Sequence, residues 1–413
     1  MNSMWSDRKY VNTFINILLF LTGINFLHYG QLMLPIICLI LFIDQGFKLS
    51  IKNYKTFIIL CVFGVAFFCF SFKEGLYSVM GLFLPMAYYI GSNLRTENKE
   101  NIRKLIYIIA YGMACHMILN FILEIMFWHD NLSYLFNKPS HYDVWLFRII
   151  WPGTPEWRPD PGIFTNLWFS KIRVTATSIN YIMIASCIYY LLFKEDNKKY
   201  KYTGIILFII SSVYCLALGR RTTVFILAIA LLLSIVYDFS LNKTNDSYRL
   251  IVKKVLIFIG IVLAVFVVLY LFNVFNLREI INNLSIVKRF LLRGLKTERL
   301  EIFIKSIQLA PKYPFGGRKI SDLIGYSIHD LWGDIYDFAG IVPYLLMLYY
   351  SIGVLLCMIK VFRNNRYDKN MILFIVWFAV CSIMMFIEPV MTGASIYLIC
   401  FVIIVSAITT AYN

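Results

Sequence analysis

Apolar runs recur along the whole of this chain, and each is long enough to form a helix that crosses a membrane. About 20 consecutive apolar residues span the ~30 Å hydrocarbon core of a bilayer. Hydrophobic residues make up 60% of the 413 residues and charged residues only 15%, whereas soluble domains are about a quarter charged. A soluble fold has no means of covering so much apolar surface. We therefore predict an all-α, polytopic membrane protein with one integral membrane domain over residues 1–413.

Hydropathy predicts about 12 transmembrane helices. The first apolar run has no small-residue cleavage site, so we expect it to be retained as a helix. All nine cysteines fall inside predicted spans, which indicates no external disulfide framework. The predicted spans are 11–27, 32–50, 57–72, 75–94, 104–128, 174–193, 202–219, 221–237, 252–275, 339–359, 371–387 and 392–412.

The distribution of basic residues predicts the orientation. The formal net charge is +16, and six short segments together carry 21 Lys and Arg residues. Cytoplasmic loops carry such an excess, so we place these segments and both termini in the cytoplasm. Because the positive charge is scattered between spans, it indicates topology and not nucleic-acid binding. Two large loops, 129–172 and 276–338, are then extracytoplasmic. Carriers usually bind substrate near the membrane midplane, whereas this chain places its extra mass outside.

The first large outer loop is rich in tryptophan. Indole rings at this depth are typical of the interfacial aromatic belt, and their flat faces also suit the C–H faces of sugar rings. Both interpretations stay open at this stage. The weak sugar-binding candidates are Trp151, Trp157 and Trp168 in this loop, and Trp332 in the second one.

The second outer loop carries a basic stripe. Arg289, Arg293, Lys296 and Arg299 follow one another at i, i+4, i+7 and i+10, which is one face of a continuous helix. Such a stripe either snorkels towards lipid phosphates or binds a phosphorylated lipid, because guanidinium matches phosphate oxygens in bidentate fashion. Arg293 and Arg299 are therefore candidate pyrophosphate-binding residues.

Neither outer loop contains a set of side chains at metal-ligand spacing. Asp330, Asp334 and Asp337 lie close together in sequence, but no further oxygen ligands lie nearby. We predict no metal and no cofactor.

Three more arginines lie where the positive-inside rule disfavours them. Arg220 and Arg221 occupy a tight outer turn, and Arg173 precedes the sixth span on the same face. Arginine kept at the outer mouth of a bundle is either an interface anchor or part of a functional site.

The stretch "SIHDLWGD" places His329 directly before an apolar span, with Asp330 and Asp334 beside it. Histidine is suited to accept the proton of an attacking sugar hydroxyl, and a neighbouring carboxylate can fix its tautomer. An ordinary interfacial histidine is the alternative. In span five, His116, Asn120 and Glu124 share one helix face, which predicts either interhelical hydrogen bonds or a polar path.

These features, in this order, resemble the O-antigen polymerase and O-antigen ligase superfamily (the Wzy and WaaL types). "LALGRRTTVFILAIALLL" is similar to the family's arginine-bearing helix start, and "ERLEIFIKSIQLAPKYPFGGR" to its segment from an arginine to a Pro-Gly turn. "HDLWGDIYDFAGIVPYLLML" is similar to its histidine segment, and "RVTATSINYIMIA" more loosely to another helix start. The resemblance covers roughly residues 170–360. Asp330 stands where the family usually has asparagine, and Ser178-Ile179 where it has Asn-Pro.

The resemblance implies a GT-C-like, inverting, metal-independent glycosyltransferase in the bacterial cytoplasmic (inner) membrane. His329 would be the general base or the group that orients the acceptor, with Asp330 beside it, and Arg221 and Arg299 would bind pyrophosphate. Arg173 and Arg220 are weaker candidates for the same role.

We therefore expect a polymerase of undecaprenyl-pyrophosphate-linked oligosaccharides, for an O-antigen, capsule or exopolysaccharide. A flippase and a chain-length regulator of the same pathway are possible partners, and membrane lipid surrounds the chain. The alternatives are an O-antigen ligase that uses lipid A-core as acceptor, and a non-catalytic flippase or transporter of lipid-linked oligosaccharide.

Overall fold

Every regular element in the described part of the chain is helical. The structure is a computed structural model, and it describes residues 8–25, 30–47, 51, 53–94, 99–127, 174–217, 221–241, 268, 271–273, 299–325, 328, 330–388, 390–393 and 395–412. The predicted all-α class is confirmed for these ranges.

The described α-helices are numbered in chain order, and short 3-10 turns join some of them. The helices are α1 (Arg8–Ile24), α2 (Met33–Asp44), α3 (Tyr54–Ser71), α4 (Leu76–Val79), α5 (Phe83–Asn93), α6 (Lys99–Phe127), α7 (Val174–Ala185), α8 (Ile188–Phe193), α9 (Lys198–Ala217), α10 (Arg221–Leu241), α11 (Arg299–Leu309), α12 (Lys319–Ile324), α13 (Leu331–Ala339), α14 (Ile341–Asn364), α15 (Met371–Met385), α16 (Val390–Gly393) and α17 (Ser395–Tyr412).

Several of these helices are long and apolar enough to cross a membrane. Five meet both conditions, namely Tyr54–Glu74, Glu100–Leu119, Thr222–Leu241, Ile341–Asn364 and Ser395–Tyr412. Four shorter apolar helices are Tyr10–Ile24, Gly30–Asp44, Ile179–Phe193 and Met371–Met385. The helical membrane class is confirmed, whereas the number of 12 spans stays a prediction. The predicted span 252–275 falls almost wholly outside the described residues, and the loop 129–172 lies wholly outside them.

Two predicted spans are interrupted. The span at 75–94 consists of α4, a 3-10 turn and α5, and it follows Gly75 in a positive-φ conformation. The span at 174–193 is divided between α7 and α8, where the side chains of Ser186 and Cys187 both donate to the carbonyl of Met183. Such bonds back to the preceding turn compete with the helical pattern and bend helices. Hydropathy alone does not register either break.

Close glycine contacts hold the bundle together. At the crossing of α1 and α6, a Cβ on Gly112 would lie 2.5 Å from the carbonyl oxygen of Phe20 and 3.0 Å from Gly23 Cα. At the crossing of α5 and α17, a Cβ on Gly91 would overlap Ser406. Small residues of this kind let helix backbones approach in a membrane, where there is no hydrophobic drive between helices.

One end of the bundle is closed by a polar network, here called the Arg103–Glu195 cluster. Glu195 is buried, lies 3.5 Å from the Arg103 guanidinium and accepts the Tyr107 hydroxyl at 2.8 Å. The cluster and its flanks join α6, the segment after α8, the segment before α15 and the end of α17. The further bonds run from Tyr190 to Asn370 at 2.8 Å, from Lys369 to Asp196 at 3.2 Å and from Tyr412 to Asp368 at 3.1 Å. Segments predicted to share the cytoplasmic side therefore meet at one end.

We predict that Gly112→Ala loosens the crossing of α1 and α6, because the added methyl group meets backbone atoms that have no room to move. Overpacking of this kind costs about 1–3 kcal/mol. The measurement is the thermal unfolding temperature of the purified protein in detergent.

Gly353→Ala is the matched control. Gly353 lies in α14 with open space around the position of a Cβ, and alanine is the better helix former. Its unfolding temperature should be unchanged or slightly higher. Equal losses in the two variants would contradict the proposed crossing.

Candidate functional site

Helix α13 forms because its ends are well specified. Asp330 has extended backbone angles, and its carboxylate accepts the Gly333 N–H at 2.6 Å, which is an N-cap. Gly340 ends the helix with φ +83°, and its N–H donates to the Tyr336 carbonyl at 2.8 Å. Between these limits seven of nine residues are buried.

Helix α13 folds back along α14. The Trp332 indole N–H donates to Ser351 Oγ at 3.2 Å, and its ring lies 4.5 Å from the ring of Phe386. Ser351 is ten residues into α14, or about 15 Å from its start at 1.5 Å per residue. The N-terminal end of α13 therefore lies level with the middle of α14. From the sequence we expect Asp330 at the lip of this span, but the structure places it deeper.

Buried carboxylates line this re-entrant helix. Asp330, Asp334 and Asp337 share one face at i, i+4 and i+7, with exposed fractions of 8%, 3% and 2%. The segment after α15 contributes Glu388, which is 0% exposed, and α16 beyond it packs against α13. Acidic side chains among membrane helices are costly and usually mark functional sites.

Glu388 was not among the residues singled out from the sequence. Its signal was available, since Glu388 is the only acidic residue after Asp368 and is followed directly by a proline.

Helix lengths put the backbone of Arg221 at about the same level of the bundle as Glu388. Near the far end of α10, the Tyr237 hydroxyl donates to the Arg366 carbonyl at 3.0 Å, just before α15 begins. The two helices pack against each other and therefore run in opposite directions. Arg221 is 16 residues before Tyr237, or about 24 Å along the helix, and Glu388 is a similar distance beyond the start of α15.

The C-terminal end of α13 is fixed by Asp337. Its carboxylate accepts the backbone N–H groups of Ile320 and Ser321 at 3.1 and 3.2 Å, and also the Ser321 hydroxyl. Burial raises the pKa of the Asp337 carboxyl, while these hydrogen bonds and the Arg318 charge act in the lowering direction. Asp337 therefore caps α12 and has a structural role.

Arg318 directly precedes α12, beside the backbone groups that Asp337 caps. It was not singled out from the sequence. Its backbone is left-handed at φ +59°, after two glycines that also have positive φ. The guanidinium lies over the Phe338 ring, 5.1 Å from its centroid, and 3.9 Å from the Glu74 carboxylate. An arginine after a Gly-Gly turn was the available signal.

The predicted site residues are only partly described. Arg221 and Arg299 are the first described residues of α10 and α11, and both their side chains and the residues directly before them lie outside the described set. Helix α11 packs on α12, which packs on α13, and the Tyr336 hydroxyl donates to the Ala310 carbonyl at 2.6 Å. The candidates that lie wholly outside the described residues are Arg173, Arg220, Arg293, His329, Trp151, Trp157 and Trp168.

Two other polar predictions can be placed. His116 is buried, and its Nδ1 lies 2.7 Å from the Ile24 carbonyl of α1, which favours interhelical hydrogen bonding over a polar path. Trp332 packs between α14 and Phe386. Its sugar-binding role stays a prediction. Among the described residues, no group of three His, Cys, Asp or Glu side chains is arranged to hold a metal ion.

The sequence matches no protein-family model, and no curated protein matches it significantly.

We predict that Asp330→Asn keeps α13 intact, because asparagine is an equally good N-cap and the change removes a buried charge. Asp330→Ala loses the cap and should lower the free energy of unfolding by about 1 kcal/mol. Thermal unfolding of both variants in detergent measures the difference. Equal destabilisation of the two would show that the cap is not what Asp330 contributes.

Proposed function

We propose that this chain is a polymerase of undecaprenyl-pyrophosphate-linked oligosaccharides that acts on the outer side of the bacterial cytoplasmic membrane. It moves a growing glycan from one undecaprenyl pyrophosphate to the non-reducing sugar of a new lipid-linked unit. No nucleotide is required, because the lipid carrier activates the donor. The sequence resemblance described above supplies the reaction class.

The observation that carries the proposal is the polar layer around the N-terminal end of α13. Asp330, Glu388 and the start of α10 at Arg221 occupy one level, and α13 and α10 both pack on the segment that runs from α15 into α16. His329 directly precedes Asp330 in the chain. A lipid-linked substrate meets charged groups here while its tail stays in the bilayer.

The chemistry needs one base and several cations. The acceptor hydroxyl attacks the anomeric carbon of the donor sugar, and its proton passes to His329. The bond from that carbon to the pyrophosphate oxygen breaks, and undecaprenyl pyrophosphate leaves. Guanidinium groups at Arg221 and Arg299 stabilise the negative charge that develops on the leaving group, with Arg173, Arg220 and Arg293 as further candidates.

The Arg103–Glu195 cluster supports an outward-facing site with cytoplasmic termini. Opening this end of the bundle would require this buried ion pair and the hydrogen bond from Tyr107 to be broken. A flippase or transporter has to open both ends in turn. An enzyme that receives its substrates from the outer leaflet does not, and this favours the polymerase over the carrier.

The ligase shares the donor and the leaving group, so the same residues serve it. Polymerase is preferred because each surface-glycan cluster tends to bring its own polymerase. The acceptor therefore distinguishes the two enzymes, as a lipid-linked repeat unit or as lipid A-core.

We predict that His329→Ala lowers glycan transfer between synthetic lipid-linked units by about 10²–10⁴-fold, the usual contribution of a general base. Arg221→Ala and Arg299→Ala should each cost about 10²–10³-fold, as lost transition-state donors do. The readout is the length distribution of lipid-linked products made by the purified protein.

Arg366→Ala is the matched control, because this arginine lies over the Tyr367 ring at the opposite end of the bundle. Its activity should equal that of the wild type. In cells, loss of long glycan with single repeat units still at the surface supports the polymerase. Repeat units retained on the cytoplasmic face would instead identify a carrier.

A further inference from the structure

The guanidinium of Arg318 lies at the end of α13 that is remote from Asp330. It stacks over Phe338, which is eight residues from Asp330, or about 12 Å along the helix axis. Its turn is fixed on α13 and α14 by backbone bonds, so a side-chain substitution leaves the attachment in place. These bonds run from Gly317 N–H to the Phe338 carbonyl at 3.1 Å, from Arg318 N–H to the Asp337 carbonyl at 2.7 Å and from Ile341 N–H to the Pro314 carbonyl at 2.8 Å.

The hydrogen-bond donors of this guanidinium are poorly used. Arginine has five N–H donors, and in Arg318 the Nε atom is buried without an acceptor in the described structure. The nearest carboxylate oxygen, on Glu74, is 3.9 Å away, which is too far for a hydrogen bond. With Arg318 40% exposed and Glu74 21% exposed, such an ion pair contributes little to stability. A phosphate, which can accept short hydrogen bonds from a guanidinium, is a stronger partner for Arg318 than this loose contact with Glu74.

The surroundings suit an amphiphilic anion. Glu74 ends the membrane-spanning helix that begins at Tyr54, and Arg318 lies where α14 begins. Phe72 and Phe315, which are near these two residues in the chain, are 65% and 71% exposed. A partly exposed guanidinium with exposed aromatic side chains near it in the chain suits a lipid that has a phosphate head and an apolar tail.

We infer that Arg318 binds the pyrophosphate of the acceptor, the lipid-linked unit that receives the growing glycan. This inference rests on the proposed polymerase. The donor's pyrophosphate has to lie at the reacting carbon, beside His329. A guanidinium about 12 Å away along α13 is too remote for that role. The acceptor's pyrophosphate, in contrast, is separated from its attacking hydroxyl by the sugars of one repeat unit.

The test compares two acceptors that carry the same oligosaccharide. One is linked to undecaprenyl pyrophosphate and the other has no lipid or phosphate. For Arg318→Gln, kcat/KM with the lipid-linked acceptor should fall by about 10–100-fold, the loss typical of a charged hydrogen-bonding partner. With the lipid-free acceptor, kcat/KM should be unchanged. Equal losses with both acceptors overturn the inference, because they indicate a donor-side or structural role.

Two control variants separate the remaining possibilities. Glu74→Gln removes the competing carboxylate and should leave the lipid-linked acceptor's KM unchanged or lower it. If it instead reproduces the Arg318→Gln defect, the pair is a structural clamp and the inference is wrong. Arg366→Gln, at the other end of the bundle, should behave as the wild type in both assays.

Native mass spectrometry gives a readout that does not depend on activity. Arg318→Gln should bind less undecaprenyl pyrophosphate than the wild type and equal amounts of phosphatidylglycerol. Equal loss of both lipids would identify a general anionic-lipid contact and overturn the inference. If the wild type transfers glycan to neither acceptor while this binding difference persists, the polymerase proposal fails and the phosphate site at Arg318 stands.

Discussion

The return of α13 along α14 is the constraint on which the candidate site depends. Backbone hydrogen bonds and the Asp337 carboxylate fix one end of α13 to the segment before it, and Gly340 allows the sharp reversal. The other end is then held by Trp332 against Ser351 and Phe386. A helix that extended away from α14 would leave Asp330 and Asp334 in solvent. Solvent-exposed carboxylates are common, and their presence would not indicate a functional site.

The charged side chains of the bundle differ in burial and in partners from one level to the next. At one end of the bundle, the Arg103–Glu195 cluster contains a buried ion pair, and its Glu195 carboxylate also accepts the Tyr107 hydroxyl. The middle level holds the buried carboxylates of Asp330, Asp334 and Glu388. The other end presents the partly exposed Arg318 beside apolar rings. In the proposed polymerase, the lipid-linked substrates would approach from the end that carries Arg318.

The sequence predicted much of this arrangement, and its failures have physical causes. The all-α class was predicted from hydropathy and is confirmed for the described residues, but the short helix α13, with Asp330 as its N-cap and Gly340 at its end, was not among the predicted helices. Basic loops that were predicted to share the cytoplasmic side do lie together in the structure, around Arg103 and Lys369. The re-entry of α13 was not predicted, because hydropathy reports how apolar a segment is and not which way it runs. Glu388 was missed because one carboxylate hardly changes the average over an apolar run, and the break at Ser186 because side-chain bonds to the backbone do not alter composition.

The most direct test of the account is the proximity of residues 332 and 351. In a background with the nine native cysteines replaced, Trp332→Cys and Ser351→Cys are combined and treated in membranes with a short bifunctional thiol reagent. The account predicts an efficient intramolecular cross-link and little labelling of residue 332 by a membrane-impermeant maleimide added from outside. Rapid labelling of residue 332 from outside, with no cross-link to residue 351, would contradict it.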